Sequence, residues 1–176
     1  MANYNGKRTN STPAIDTFNL HILRTYPETI ADGDGLRYSI YLAGCRHACA
    51  GCHNPASWLP NAGKLLNEAL LCNIIQTING DSMLDGITIS GGDPFYNPIG
   101  LAELLQRLKH ATNANIWCYT GYTIEEILAN HTLSRPLPYI DVLVDGPFVL
   151  SHRNLALPFR GSSNQRIIKN PSNWNK

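Results

Sequence analysis

The spacing of hydrophobic and polar positions changes several times along the chain, and the changes mark out its elements. Residues 1 to about 13 are polar throughout and read as a loose tail with nothing to bury. From Ile15 to Ile30, alternating apolar residues are mixed with turn formers, a pattern that predicts one edge strand. The run Asp32-Gly33-Asp34-Gly35 is a turn signal, and Leu36 to Ala43, rich in apolar, β-branched and aromatic residues, predicts a strand. The period then lengthens. Apolar residues at Leu65, Leu66, Ala69, Leu70, Cys72, Ile74 and Ile75 predict a helix over 65–78, with Gly80 suited to the stop after it. A short strand follows at Ile87 to Ile89, running into Gly91-Gly92. Leu101 to Leu108 predicts an amphipathic helix with Pro98 near its start. Ile116 to Tyr119 predicts a third strand. Thr123 to Ala129 predicts a short helix, because Thr123 with Glu126 three residues on forms a capping box. Ile140 to Val144 and Arg166 to Lys169 read as a fourth and a fifth strand.

Strands that alternate with helices imply right-handed crossovers and a mostly parallel sheet, an α/β architecture. A closed eight-unit barrel needs about 250 residues. The 176 residues present can build only part of one, or an open sheet, and they are expected to form a single domain over 15–176 behind a flexible tail at 1–14. In either arrangement ligands bind at the carboxyl ends of the strands. The chemically notable residues sit at those ends: Cys45 after the first strand, Gly91 to Pro94 after the second, Thr120 to Tyr122 after the third, and Asp145 to Pro147 after the fourth.

Composition narrows the function. Hydrophobic residues make up 43 %, enough for a folded core, and charged residues only 15 %. The net charge of +1 argues against a nucleic-acid binder that works by neutralising phosphates. No apolar run reaches the ~18 residues of a membrane span, and the N-terminal stretch lacks the apolar core of a signal peptide. The expected setting is the cytoplasm, with no membrane and no nucleic acid as partner. In such a reducing compartment the five cysteines are not expected to form a disulfide framework.

Three of those cysteines, Cys45, Cys49 and Cys52, fall within eight positions with the spacing C-x3-C-x2-C. Soft thiolates select zinc, copper(I) or iron–sulfur clusters. A closed zinc site wants four ligands, and His47 or His53 is in range to supply the fourth. Ordinary ferredoxin clusters also use four cysteines, and no second close pair stands here to complete such a set. Three thiolates on one tight loop point instead to a [4Fe-4S] cluster with one iron left open for a substrate. Cys72, on the apolar face of its helix, and Cys118, mid-strand, read as core residues.

The cysteine loop after a first strand, followed by Gly91-Gly92-Asp93-Pro94 after a later one, resembles the radical S-adenosylmethionine superfamily. The turn Asp32-Gly33-Asp34-Gly35, the run Gly51-Cys52-His53-Asn54 leading on to Trp58, and Ser90-Gly91-Gly92-Asp93-Pro94 are similar to the glycyl-radical activating enzymes within it. Trp117-Cys118-Tyr119-Thr120-Gly121-Tyr122, Asp141-Val142-Leu143-Val144-Asp145-Gly146 and Phe159-Arg160-Gly161-Ser162-Ser163-Asn164-Gln165 resemble the branch that activates the anaerobic ribonucleoside-triphosphate reductase. The likeness runs from about Ile22 to Lys169. One departure is Gly51, where many superfamily members carry an aromatic residue before the third cysteine.

The resemblance implies a partial, open βα barrel in which Cys45, Cys49 and Cys52 bind three irons, while the fourth iron takes the amino and carboxylate groups of S-adenosylmethionine. One electron, supplied by a flavodoxin-like donor, would split that molecule into methionine and a 5′-deoxyadenosyl radical. The radical would take a hydrogen atom from a backbone glycine of the reductase. Such chemistry belongs to the cofactor; the protein binds, orients and excludes. Gly51, Cys52, His53, Gly91, Gly92, Asp93 and Thr120 are implied as cofactor contacts. Taken alone, Gly91-Gly92-Asp93-Pro94 reads as a tight turn leaving a strand. Beside the cysteine loop, its glycines let backbone carbonyls approach the methionine ammonium closely. Competing readings are a non-catalytic zinc-binding module, an activase for another glycyl-radical enzyme, and a small-molecule enzyme of the deazaguanine synthase type. The short chain favours a substrate that is itself a protein.

Overall fold

A computed structural model describes residues 18–174; the expected tail at 1–14 lies outside them. Seven strands form one sheet in the order β3-β1-β2-β4-β5-β6-β7. These are β1 (His21–Thr29), β2 (Arg37–Leu42), β3 (Lys64–Leu65), β4 (Gly86–Gly91), β5 (Asn115–Tyr119), β6 (Val142–Asp145) and β7 (Arg166–Lys169). The central strands β2, β4, β5 and β6 run parallel in sequence order, as the strand–helix alternation predicts. Antiparallel strands close both sides: β1 and β3 beyond β2, and β7 beyond β6. The stretch expected as an edge strand is therefore β1, and it lies inside the edge. The two-residue β3 pairs with it, Ile22 opposite Lys64, and takes the outermost place.

Three helices join the parallel strands: α1 (Glu68–Gly80), α2 (Pro98–Ala111) and α3 (Ile124–Leu128). The α1 helix starts three residues later than the spacing predicts, for two reasons. Lys64 and Leu65 are drawn into the sheet, and Leu66 is buried, its N–H donating to the Leu20 carbonyl at 2.8 Å. Asn67 then supplies the cap, its side chain accepting from the Leu70 N–H. The α2 helix begins at Pro98 behind an Asn97 cap, and the Thr123–Glu126 capping box opens α3 as read from the sequence.

The alternation of each strand sorts its residues between two surfaces. Ile40 and Leu42 of β2, Ile87 and Ile89 of β4, Ile116 and Cys118 of β5 and Leu143 of β6 pack against the helices in one core. The opposite surface is more polar. Its rows are set by register, with Ser39 beside Thr88 and Thr88 beside Trp117, and the second small apolar cluster of Trp117, Val142 and Val144 lies there, with Phe159 of a late loop packed on it. Because these strands are parallel, the loops after β2, β4, β5 and β6 leave the sheet on the same side.

Candidate active site

The cysteine loop grows out of β2. At its root the Gly44 N–H donates to the Ser57 carbonyl at 2.8 Å and the Cys45 N–H to the Trp58 carbonyl at 3.3 Å, so the chain before and after the loop is tied together. The tip is a tight turn: Cys52 N–H donates to the Cys49 carbonyl at 3.1 Å, and Ala48 holds a left-handed φ of 46°. All three cysteines are half-buried and line one cavity of about 700 Å³. That volume falls in the ~300–1,000 Å³ range of small-molecule sites. Burial pushes the Cys45 thiol above its ordinary pKa, partly offset by backbone N–H groups of His47 and Ala48. Metal uptake there must displace a held proton.

Asp93 joins three loops beneath this cavity. Its carboxylate, 2 % exposed, accepts from the His47 Nε2 at 2.5 Å, the Thr120 hydroxyl at 3.0 Å, the Gly121 N–H at 3.1 Å and the Phe95 N–H at 2.8 Å. The Asp93 N–H in turn donates to the Gly44 carbonyl at 2.7 Å. Held by that carboxylate, His47 has its pKa raised. Its ring meets Tyr122 edge-on, with centroids 4.6 Å apart. Arg46, next along the loop, lies 4.2 Å over the Tyr96 ring.

The rest of the cavity wall comes from the polar sheet surface and from the late loop. Tyr41 donates to both oxygens of Asp32, and both residues line the cavity. Burial, with the Asp32 hydrogen bond, pushes the Tyr41 hydroxyl upward. The late loop is pinned by side-chain hydrogen bonds. Asn164 donates to the Pro147 carbonyl at 2.7 Å, Gln165 donates to the Gly146 carbonyl at 3.1 Å, and the Gln165 side-chain oxygen accepts from Gly161 N–H at 2.9 Å. Behind it, fully buried Asp145 accepts from the Ile124 N–H and from Arg166.

Of the residues singled out in the sequence, Cys45, Cys49, Gly51, Cys52, His53, Gly91, Gly92 and Thr120 all line this cavity. Asp93 lies below the wall, its oxygens taken by the chain itself. Cys118 is fully buried, whereas Cys72 is exposed and does not belong to the core. The buried face of α1 runs through Leu71, Ile74 and Ile78, which leaves Cys72 one position off it. The His47–Asp93 bond, the Arg46–Tyr96 stack and the Tyr41–Asp32 bond escape sequence reasoning. The first two join residues more than 40 positions apart, Tyr41 and Asp32 are nine apart, and none has a spacing signature.

The donor set fits an iron–sulfur cluster. Three thiols share a cavity, no fourth cysteine lines it, the Nε2 of His47 is committed to Asp93, and His53 stands on the same cavity wall. Among the described residues, no three His, Cys, Asp or Glu side chains converge closely enough to hold a single ion. The glycines complete a cradle. Gly91 has a φ of 121°, and a Cβ there would fall on the Leu42 backbone. Nothing bulkier than hydrogen fits where β4 leaves the sheet at the cavity wall.

Comparison with known proteins agrees. Residues 31–168 match the family described as a 4Fe-4S single cluster domain. The chain is 38 % identical over 155 residues to the anaerobic ribonucleoside-triphosphate reductase-activating protein of Pasteurella multocida, covering 85 % of this chain and 98 % of that one. It is 37 % identical over 146 residues to the protein of that name from Escherichia coli K12, covering 81 % and 94 %. The counterpart of Enterobacteria phage T4 is 32 % identical over 152 residues, covering 84 % and 92 %.

Proposed function

The chain belongs to the family of anaerobic ribonucleoside-triphosphate reductase-activating proteins, and from that premise we propose how its residues serve the activation. It is a radical S-adenosylmethionine enzyme with one [4Fe-4S] cluster, and it forms the glycyl radical of the reductase. When bound, the cluster and S-adenosylmethionine supply the one-electron chemistry that removes a hydrogen atom from a backbone glycine. The zinc module, an activase for another radical enzyme and a small-molecule enzyme draw no support from the relatives.

Cys45, Cys49 and Cys52 would hold three irons in this reading, and their half-buried thiols line the cavity where the cosubstrate would bind. Gly91 and Gly92 present backbone groups to the methionine end, while Gly51, Cys52 and His53 line the adenine side. Thr120 stands at the end of β5, its hydroxyl directed to Asp93. Asp93 serves from beneath, fixing the three loops that carry the contacts. The single domain expected over 15–176 is, in its described residues 18–174, read as the partial-barrel type, with its polar sheet surface on the side of the cofactor. A reduced flavodoxin-like protein delivers the electron in the cytoplasm, where thiols stay reduced.

The observation that carries this reading is the meeting of the three thiols with Gly91, Gly92 and Thr120 on one cavity at the carboxyl ends of β2, β4 and β5. Anaerobic reconstitution with iron and sulfide, followed by reductant, S-adenosylmethionine and the reductase, tests it. The expected result is release of 5′-deoxyadenosine together with a glycyl electron-spin signal on the reductase. A colourless protein that holds stoichiometric zinc and takes up no iron would overturn it.

A further inference from the structure

Between Arg46 and Gly51 the cysteine loop has few ties to the rest of the molecule. Among the described residues, its side chains reach other elements at Asp93, Tyr122 and Tyr96: the hydrogen bond from His47 to Asp93, the His47 ring edge-on to Tyr122, and the Arg46 guanidinium over Tyr96. The hydrogen bond is the best built. Asp93 is buried and held from three further directions by Phe95, Thr120 and Gly121, so its position is fixed without His47. The imidazole is clamped on the other side as well. A Cβ on Gly121 would meet the His47 ring at 2.6 Å, and Tyr122 packs edge-on against it. Position 121 has room for His47 only because it carries no side chain.

We propose that His47 is a positioning residue: through Asp93 it clasps the Cys45–Cys52 loop to the ends of β4 and β5 and holds the three thiols in their receiving arrangement before any iron is bound. The proposal rests on the reading that these thiols bind the cluster. A free loop would have to be ordered on each loading event, and a metal site whose ligands are already oriented holds its metal more tightly. The clasp also links the loop rigidly to Gly92, because the Asp93 N–H is bonded to the Gly44 carbonyl at the loop's root. Thiols and glycine wall therefore move as one body.

The test begins with the metal-free chain, measuring amide hydrogen exchange in the wild type and in His47→Ala, His47→Gln and Gly121→Ala. The glutamine amide can donate to Asp93 from nearly the reach of Nε2; the alanine cannot. Gly121→Ala leaves His47 in the sequence but drives its ring out. The clasp predicts that the Cys52 amide loses protection in His47→Ala and Gly121→Ala and regains it in His47→Gln, while amides of β4 and β6 are unchanged. After anaerobic loading, His47→Ala should surrender iron to a chelator roughly 10-fold faster than wild type, with His47→Gln restored. Loop protection in His47→Ala equal to wild type, or a His47→Gln protein indistinguishable from His47→Ala, would overturn the clasp. If exchange behaves as expected while the wild type takes up no iron, the clasp stands and the cluster assignment falls.

Discussion

Gly92 and Gly44 touch backbone to backbone: a Cβ on Gly92 would meet the Gly44 carbonyl oxygen at 2.5 Å and the Ser57 carbonyl oxygen at 2.7 Å. The cavity wall at Gly92 and the root of the cysteine loop are thus in contact through main chain alone. Main chain cannot step aside as a side chain does. Gly92→Ala is expected to push the two loops apart at a cost of about 1–3 kcal/mol, the usual cost of overpacking. Urea unfolding of the metal-free protein measures that loss, and iron uptake should fall in parallel. An unchanged unfolding midpoint would show that the contact is looser than described.

Arg37 is the largest fully buried side chain among the described residues, and it is held by acceptors on β4, on β5 and in the turn before β2. Its guanidinium donates to Thr88 Oγ1 at 2.6 Å, the Ile87 carbonyl at 2.6 Å, and the Asn115 and Asp34 carbonyls at 3.0 Å each. Removing it in Arg37→Met strands those acceptors, and a loss of about 3 kcal/mol or more is expected. Arg37→Lys should recover only part, because one ammonium cannot span the fan of acceptors that a planar fork reaches. Chemical denaturation of the three proteins checks the order wild type, Lys, Met.

The Glu125–Arg166 pair gives a pH dependence of known sign. Hydrogen bonds from Arg166 hold the Glu125 carboxyl down to about 2, against an ordinary value of 4.5. A carboxylate lowered on folding contributes stability that is fully present above the unfolded value and is lost as pH falls through the folded one. Glu125→Gln should therefore be less stable than wild type at pH 7, by no more than about 1 kcal/mol for a solvent-screened pair. The gap should close between pH 4.5 and pH 2. Unfolding curves over that range decide it, and a gap that widens in acid would contradict the pairing.

Thiol labelling separates the two lone cysteines. Cys72 is exposed on α1, whereas Cys118 is fully buried in β5, and burial raises its thiol well above the ordinary value. With Cys45, Cys49 and Cys52 all replaced by serine, a maleimide should modify Cys72 rapidly in the native protein. Cys118 should react only after unfolding. Mass spectrometry of labelled peptides reads the sites directly.

The comparison of pattern with structure separates local from distant causes. The parallel strands, α2 and the Thr123–Glu126 capping box are set by short-range spacing, and so the sequence displays them. The outer part of the sheet is not local: Lys64 and Leu65 join β1 because a partner strand more than 40 residues away is there to pair with. A helical period alone therefore starts α1 too early and overlooks Asn67 as its cap. Cys72 shows a second limit, since one step of about 100° around a helix moves a residue from the buried stripe to solvent. At the site, the residue types were legible in C-x3-C-x2-C and in Gly91-Gly92-Asp93-Pro94. Their wiring was not. Asp93 reads as a cofactor contact in the sequence, and only the fold shows that His47, Thr120 and Gly121 also meet at its carboxylate.

The central claim is that this chain removes a hydrogen atom from a glycine of the reductase. Reductase prepared with glycine deuterated at Cα, incubated anaerobically with the cluster-loaded protein, reductant and S-adenosylmethionine, tests it most directly. Mass spectrometry of the nucleoside product should find deuterium in 5′-deoxyadenosine, in step with the growth of the glycyl radical signal. Unlabelled 5′-deoxyadenosine, formed while the reductase stays free of radical, would contradict the account.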